Sequence, residues 1–370
     1  MMNKATVKLT LASILAATAI NVQAAEDKVL NVYNWSDYIA EDTIANFEAE
    51  TGIKVVYDVF DSNEVLEAKI LSGSTGFDIV VPSSDFLARQ AQAGAFMKLD
   101  KSKLSNYSNL DPKIMSMLSD TSDPGNLYAV PYLWGTTGIG YNVDKVKQVL
   151  GDDAPVNSWD LVFKPEYMEK LSQCGVAFLN APTEIYGAAL HYLGKDPNST
   201  DIKEYKENSE AYKLLKSIRP YVTYFHSSQF INDLANGDIC VAIGWSGDIL
   251  QASDRAAEAD NGINVKYEIP KEGTLAWFDL MAIPADAPHK ENAYAFINYL
   301  LRPKVIAEVS NFVWYANPTP ASKEFVDPEI TSHPGIYPSD ETLAKLYGSK
   351  VMPAKVSRTL TRSWTKFLQN

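Results

Sequence analysis

The sequence lacks a hydrophobic run long enough to cross a bilayer as a helix, which takes about 20 consecutive apolar residues. Its apolar stretch at residues 9–20 is shorter, follows Lys4 and Lys8, and leads to a small-residue ending at Ala24. This three-part pattern is typical of a secretory signal peptide. We therefore expect residues 1–24 to be a signal peptide, cleaved after Ala24. The rest of the chain should be exported to a bacterial periplasm without stable membrane insertion.

Basic residues are scarce relative to acids. The chain has 33 lysines and arginines against 46 aspartates and glutamates, which gives a formal net charge of −13. The first 24 residues carry two lysines and no acid, so the charge of the remainder is −15. This balance argues against binding to nucleic acid or to an anionic membrane surface. It is compatible with a cationic ligand, although acidity that serves only solubility is the alternative.

Cysteine is also scarce, with Cys174 and Cys240 as the two in the chain. A pair of cysteines in an exported chain predicts a disulfide, because the compartment is oxidising. Two buried thiols are the alternative.

Familiar catalytic and metal-binding motifs are missing. The segment "GTTGIG" lacks the flanking strand, helix and acid of a dinucleotide-binding site, and "GWSGD" is not a full nucleophile elbow. The histidines show no metal-ligand spacing; they are His191, His226, His289 and His333. We therefore expect no metal, no cofactor and no catalytic residue. A hydrolase or lyase that uses two carboxyl groups as acid and base remains an alternative.

Strands and helices alternate from Val29 onward. The segments "KVLNVYNW", "IKVVYDVF" and "FDIVVPS" favour strands, and helical patterns lie between them. Such alternation predicts a parallel sheet, in which ligands bind beyond the carboxyl ends of the strands. Trp35, Ser36 and Asp37 follow the first strand and Ser83 follows the third. We expect a ligand site at this edge.

The length of the chain suggests about two domains. The segments "YAVPYLWGTTGIGYN" and "FVWYANPTP" resemble chain crossings between two α/β units, with a cleft between the units. The expected first lobe comprises residues 27–135 and 254–305, and the second comprises residues 139–250 and 310–370. The expected hinge crossings are residues 136–138, 251–253 and 306–309.

An acid stands close to a tryptophan at three distant points of the chain. The pairs are Trp35 with Asp37, Trp245 with Asp248, and Trp277 with Asp279. An alkylammonium ion loses hydration on entering a cleft, and a carboxylate offsets that loss. A tryptophan face adds about 0.5–2 kcal/mol of cation–π attraction. The pairs predict a pocket for an organic cation, with simple core packing of the tryptophans as the alternative.

Several longer segments resemble the periplasmic polyamine-binding proteins of ABC importers, especially their putrescine-binding branch. They include "YNWSDYI", "GSTGFDIVVPS", "TTGIGYNVDKV" and "YFHSSQFINDLANGDICVAIGWSGD". The resemblance implies a two-lobed type II periplasmic binding protein fold in which each lobe is a mixed sheet flanked by helices. It also implies capture of putrescine or spermidine by lobe closure and delivery to a membrane permease, without catalysis. A receptor for cadaverine or agmatine, used for uptake or sensing, is the alternative, and we expect a monomer.

The resemblance also implies a set of ligand-binding residues. They are Trp35, Ser36, Asp37, Tyr38, Ser83, Glu184, Trp245, Asp248, Asp279 and Tyr315. Asp279 matches the acid that takes one terminal amine, and Tyr315 matches the closing tyrosine. Glu184 stands at the start of a predicted helix, where stabilisation of the helix dipole is the alternative role. Cys174 and Cys240 match the disulfide of the family.

Three positions bear on selectivity through the same resemblance. Trp277 stands where the putrescine-binding branch often has phenylalanine and where spermidine-preferring relatives tend to have tryptophan. Ala181 stands where spermidine-preferring relatives can carry an extra acid. Asp85 replaces a residue that is usually neutral at the lip of the cleft and is expected to attract a third amine. Because these signals are mixed, we expect both putrescine and spermidine to bind.

Overall fold

The computed structural model describes residues 26–369, so the predicted signal peptide lies outside the described residues. The strands are β1 Val29–Trp35, β2 Lys54–Phe60, β3 Ile79–Val80, β4 Ala129–Asn142, β5 Val176–Phe178, β6 Tyr224–Phe225, β7 Val241–Trp245, β8 Val265–Glu268, β9 Leu275–Ala282 and β10 Tyr347–Gly348. The helices are α1 Glu41–Thr51, α2 Asn63–Leu71, α3 Ser84–Gln92, α4 Pro112–Thr121, α5 Val143–Leu150, α6 Asp160–Phe163, α7 Pro165–Leu171, α8 Pro182–Tyr192, α9 Glu210–Ile218, α10 Phe230–Ala235, α11 Ser246–Glu258, α12 Lys290–Leu300, α13 Pro303–Val313, α14 Pro328–Thr331, α15 Asp340–Leu343 and α16 Ala354–Gln369. Short 3-10 turns lie at Lys101–Lys103, Tyr107–Asn109, Ile202–Tyr205, Arg219–Tyr221 and Pro320–Glu324.

The first four strands and β9 form a mixed sheet with the order β2-β1-β3-β9-β4. β1 pairs in parallel with both β2 and β3, as the alternation of strands and helices predicts. β9 joins this sheet in the antiparallel sense, between β3 and β4. The last four residues of β1 are all buried, as expected for a parallel strand that is covered on both faces.

A second mixed sheet is formed by β4, β7, β5 and β6, and β8 also pairs with β4. β7 and β8 are antiparallel to β4, whereas β5 is parallel to both β6 and β7. β4 therefore belongs to both sheets. Its residues up to Thr136 pair with β9, and its residues from Thr137 onward pair with β7. The α/β class and the two mixed sheets agree with the predicted fold.

The expected lobe boundaries stay a prediction, and parts of them fall within regular secondary structure. Residues 251–253 lie inside α11 and residues 306–309 lie inside α13, so neither segment is a free crossing. β8 falls in the range assigned to the first lobe, yet it pairs with residues 139–142 of β4 in the second sheet. Sequence periodicity does not locate the point where a chain changes sheets.

The predicted disulfide between Cys174 and Cys240 is confirmed, with the two Cα atoms 5.5 Å apart. It links the turn before β5 to the residue before β7, and so joins two neighbouring strands of the second sheet at their amino ends. Within residues 26–369, no helix combines the length and apolar character that a membrane crossing requires.

Candidate ligand-binding site

The carboxyl ends of several strands meet around one cavity. Trp35 ends β1, and Ser83 follows β3 directly before α3. In the second sheet, Trp245 ends β7, and Glu184 lies in the first turn of α8, which follows β5. All four residues line the same cavity. Strands that feed directly into helices bring these side chains together, as an open α/β sheet predicts.

Eleven of the twelve residues predicted to bind ligand line this cavity. They are Trp35, Ser36, Tyr38, Ser83, Asp85, Glu184, Trp245, Asp248, Trp277, Asp279 and Tyr315. Asp85 does not lie at an exposed lip, because it is 7% exposed within the cavity.

Asp37 is the one predicted residue that does not line the cavity. Its backbone adopts a left-handed conformation with a φ of 53°. Its carboxylate forms an ion pair with Arg255 of α11 at 2.7 Å, and its carbonyl oxygen accepts a hydrogen bond from Gln251. Arg255 thus takes the carboxylate that sequence reasoning assigned to a ligand.

Asp279, on β9, has both carboxylate oxygens engaged by hydroxyl donors. Ser83 donates a hydrogen bond of 2.6 Å to Oδ1, and Tyr38 donates one of 2.9 Å to Oδ2. Burial raises the pKa of Asp279 to about 7, although these two hydrogen bonds oppose the rise. The carboxyl group is therefore held in a fixed orientation and is only partly ionised near neutral pH.

Asp248 has a similar arrangement at the start of α11. The Tyr315 hydroxyl donates to its Oδ1 at 2.7 Å and accepts a hydrogen bond from its backbone N–H at 3.1 Å. Burial, with a smaller contribution from the charge of Asp37, raises the pKa of Asp248 to about 8, while the hydrogen bond from Tyr315 opposes the rise. Tyr315 therefore fixes the position of this buried acid.

Glu184 accepts hydrogen bonds from the Thr137 hydroxyl and from Trp245 Nε1, the latter at 3.0 Å. Burial raises the pKa of Glu184 to about 7, even though both donors stabilise its charged form. Position in the first turn of a helix does not account for these contacts. The carboxylate faces the cavity and fixes the orientation of the Trp245 indole.

Aromatic rings form much of the cavity wall. Trp35 and Trp245, from different sheets, meet edge-to-face with ring centroids 5.3 Å apart. Trp35 Nε1 donates a hydrogen bond of 2.8 Å to the Val81 carbonyl, which fixes its ring. Trp277 packs edge-on against Tyr315 with centroids 5.4 Å apart. The three tryptophans of the predicted aromatic–acid pairs therefore share one pocket.

Glu64 is the most informative residue that sequence reasoning missed. It lines the cavity in the first turn of α2, and burial raises its pKa to about 7, with further increases from the charges of Glu184 and Asp85. Its neighbour Asn63 donates a hydrogen bond of 2.9 Å to the Ser83 hydroxyl, which in turn donates to Asp279. Both residues follow β2, so the strand-end rule that identified Trp35 and Ser83 also applied here. The other lining residues that were not predicted to bind ligand are Phe60, Asp61, Ser62, Phe86, Ala181, Thr183, Ser227, Ser228, Leu275 and Ser349.

The charge of the cavity is one-sided. Six acidic side chains line it, with no lysine, arginine or histidine among the described lining residues. Burial also raises the pKa of Asp85, which shows that desolvation outweighs the positive charge of nearby Arg89. Among residues 26–369, no group of histidine, cysteine or acidic side chains has the arrangement of a metal site. Acids and aromatic faces together suit an organic cation.

Comparisons with known proteins agree with this geometry. Residues 42–338 match the family model for bacterial extracellular solute-binding proteins. The chain is 58% identical to the putrescine-binding periplasmic protein PotF of Escherichia coli (strain K12), covering 99% of this chain and 98% of the relative. It is also 58% identical to the putrescine-binding periplasmic protein SpuD of Pseudomonas aeruginosa (strain UCBPP-PA14), covering 98% and 97%. The solved structure of the spermidine/putrescine ABC transporter substrate-binding protein PotD from Streptococcus pneumoniae superposes with a TM-score of 0.72 at 29% identity, covering 93% of this chain and 99% of that one.

Proposed function

This chain belongs to the bacterial extracellular solute-binding proteins, and on that basis we propose that it captures putrescine in the periplasm and delivers it to an ABC transporter. Spermidine is a second ligand in this proposal. The two relatives at 58% identity are named as putrescine-binding periplasmic proteins, which supports both the ligand class and the compartment. The family consists of binding proteins rather than enzymes, so the hydrolase or lyase alternative has no support.

The observation that carries the proposal is the set of six acids in a cavity with no basic side chain among its described lining residues. Buried carboxyl groups without a cation are destabilised, as the raised pKa values of Asp248 and Asp279 indicate. A diamine supplies two positive charges and a short apolar chain between them. Its ammonium groups would satisfy the carboxylates, and the indole faces would cover its methylene groups.

We assign one ammonium group to Asp279, where Ser83 and Tyr38 hold the carboxylate in place. Asp248, fixed by Tyr315, and Glu184, fixed by Thr137, serve the other part of the ligand. Asp85 and Glu64 add negative charge to the same cavity, which supports binding of a triamine such as spermidine as well. Cadaverine and agmatine, which are also organic cations, are the competing ligands.

Capture by lobe closure fits the connections between the two sheets. Trp35 ends β1 of the first sheet and Trp245 ends β7 of the second, and their rings are in contact. A ligand that contacts residues from both sheets stabilises the closed arrangement, because only that arrangement provides all the contacts. We retain residues 136–138 of β4 as one hinge, since the pairing partner of β4 changes there. The other two crossings would then lie between β8 and β9 and after α13.

Calorimetric titration of ligand-free mature protein tests the proposal, with putrescine, spermidine, cadaverine and agmatine as separate ligands. We expect one-to-one binding of putrescine with micromolar affinity or better, which corresponds to about −8 kcal/mol. Recovery of the ligand chemically unchanged would support a receptor. Absence of heat and of any thermal stabilisation with all four amines would rule the proposal out.

A further inference from the structure

Trp277 differs from the other two tryptophans of the cavity in how its ring is held. Trp35 Nε1 donates a hydrogen bond to the Val81 carbonyl, and Trp245 Nε1 donates one to Glu184. Trp277 Nε1 has no hydrogen-bond partner among the described residues, although the side chain is buried. Packing alone must therefore set the orientation of the Trp277 indole.

Gly135 of β4 provides the surface on which this indole lies. It stands directly opposite Trp277 of β9 in the antiparallel pairing of the two strands, so side chains at the two positions share one face of the sheet. A Cβ atom at Gly135 would lie 2.9 Å from both Cζ2 and Cη2 of the indole, and 2.8 Å from Ser246 Oγ. Real Cβ atoms essentially never approach other heavy atoms so closely. The indole therefore covers β4 at a distance that only a residue without a Cβ atom allows.

The backbone of Gly135 does not itself require glycine. Gly135 is not among the residues with a positive φ, so alanine could adopt its conformation. Within a strand glycine is also less favourable than alanine, because it loses more conformational freedom on folding. The close approach of Trp277 and Ser246 is therefore the physical reason for glycine at this position.

The space beside Tyr315 is closed to a displaced Trp277 ring. Tyr315 packs edge-on against the indole with ring centroids 5.4 Å apart. It is buried, it is hydrogen-bonded to Asp248, and it lies so close to Gly247 that a Cβ atom there would clash with its ring. Because Tyr315 has no room to yield, a methyl group at position 135 would push the indole into the ligand-binding cavity that it lines.

We propose that Gly135 is a positioning residue for ligand binding, an inference that rests on the proposed function. Its missing side chain seats the Trp277 indole against β4 and so keeps the cavity wide enough for the methylene chain of the amine. Gly135 does not line the cavity. It therefore acts through Trp277 rather than through a contact with the ligand.

The test is calorimetric titration with putrescine of wild type, Gly135→Ala, Trp277→Phe and the double variant. Gly135→Ala should weaken binding at least tenfold. Phenylalanine lacks the outer indole atoms Cζ2 and Cη2, so Trp277→Phe alone should change binding less than fivefold. When Gly135→Ala is added to Trp277→Phe, it should weaken binding less than threefold. Such a rescue by a smaller ring measures direct coupling between the two positions.

Two controls separate the indole from other effects of a larger residue in β4. Gly140→Ala places a Cβ atom 2.7 Å from the side chain of Ile249, which does not line the cavity. This variant should lose thermal stability but bind putrescine within threefold of wild type. The double variant Gly135→Ala/Ser246→Ala removes the contact with the Ser246 hydroxyl and leaves the indole displaced, so it should bind as weakly as Gly135→Ala.

Unchanged putrescine affinity in Gly135→Ala would overturn the inference. So would an equal loss of affinity in Gly140→Ala, or a rescue by Ser246→Ala instead of Trp277→Phe. If Gly135→Ala does not fold, Trp277→Phe should restore folding in the double variant, as measured by thermal melts, and failure to restore it would also overturn the inference. These results leave the proposed function intact. Failure of wild type to bind putrescine would instead overturn the proposed function, and this inference with it.

Discussion

The Tyr38 hydroxyl donates a hydrogen bond of 2.9 Å to Asp279, although 241 residues separate the two in sequence. Tyr38 follows β1, and Asp279 lies on β9, which joins the same sheet in the antiparallel sense. The bond leaves the carboxylate in one orientation before any ligand arrives. Such preorganisation lowers the entropy lost on binding, because the acid does not have to be ordered by the ligand.

Replacement of Asp279 by asparagine should weaken putrescine binding at least tenfold. The substitution keeps the shape of the side chain and removes the charge that we assign to one ammonium group. Calorimetric titration measures the effect, and Asp42→Asn is the control because Asp42 is exposed in the first turn of α1. A change below twofold for Asp279→Asn would show that another acid takes the ammonium group.

The affinity for putrescine should rise with pH between 6 and 8. Burial raises the pKa of Asp279 and Glu184 to about 7 and that of Asp248 to about 8, so these groups are largely protonated at pH 6. Aliphatic amines stay charged over this range, since their pKa values lie near 10. If it must ionise on binding, a carboxyl group with a pKa of about 7 should contribute about tenfold between pH 6 and 8, and Asp248, with a pKa of about 8, about fiftyfold. Titrations in buffers with different ionisation enthalpies should show proton release, and an affinity that is constant over this range would contradict the prediction.

The stability of the ligand-free protein should change with pH in the opposite sense. The folded-state pKa values of these acids lie above their unfolded values, so between pH 4 and 8 the folded state binds more protons than the unfolded state. The free energy of unfolding should then fall as pH rises through this range. Thermal melts at pH 5.5 and pH 8 measure it. Saturating putrescine should reduce the fall, since a bound cation lowers these pKa values.

Part of the site was predictable because a simple rule relates sequence to position. Trp35 ends a strand, Ser83 and Glu184 each follow one, and the carboxyl ends of these strands meet in the fold. The position of Asp37 outside the cavity, paired with Arg255, was not predictable in this way. Its partner Arg255 is 218 residues distant in sequence, and only the packing of α11 brings the two side chains to 2.7 Å. The hinge boundaries stay a prediction for a similar reason, since pairing between distant strands decides where the chain changes sheets.

The ion pair between Asp37 and Arg255 should slow ligand release modestly. It joins the loop after β1 to α11, and each side chain is about one third exposed, so solvent screens the attraction. We expect Asp37→Asn and Arg255→Gln each to raise the dissociation rate of putrescine about twofold to fivefold. The double variant should release putrescine no faster than the single variant with the higher dissociation rate. The coupling energy between the two positions should be about 0.2–1 kcal/mol. Stopped-flow measurements at low and high salt test this, and additive effects of the two substitutions would exclude a direct pair.

Removal of the disulfide should lower stability without weakening ligand binding. The bond between Cys174 and Cys240 joins positions 66 residues apart, and closing a loop of that length restricts the unfolded chain by about 4 kcal/mol in the entropic model. Both cysteines precede their strands, β5 and β7, whereas the candidate site lies beyond the opposite, carboxyl ends of those strands. The free energy of unfolding of the double variant Cys174→Ser/Cys240→Ser should therefore be lower by about 2–5 kcal/mol, so the variant should unfold at a lower denaturant concentration. It should still bind putrescine within twofold of wild type. Denaturant titration and calorimetry on the same preparation separate the two quantities. A large loss of affinity in a variant that remains folded would mean that the spacing of β5 and β7 at their amino ends controls the position of Glu184 and Trp245 at their far ends.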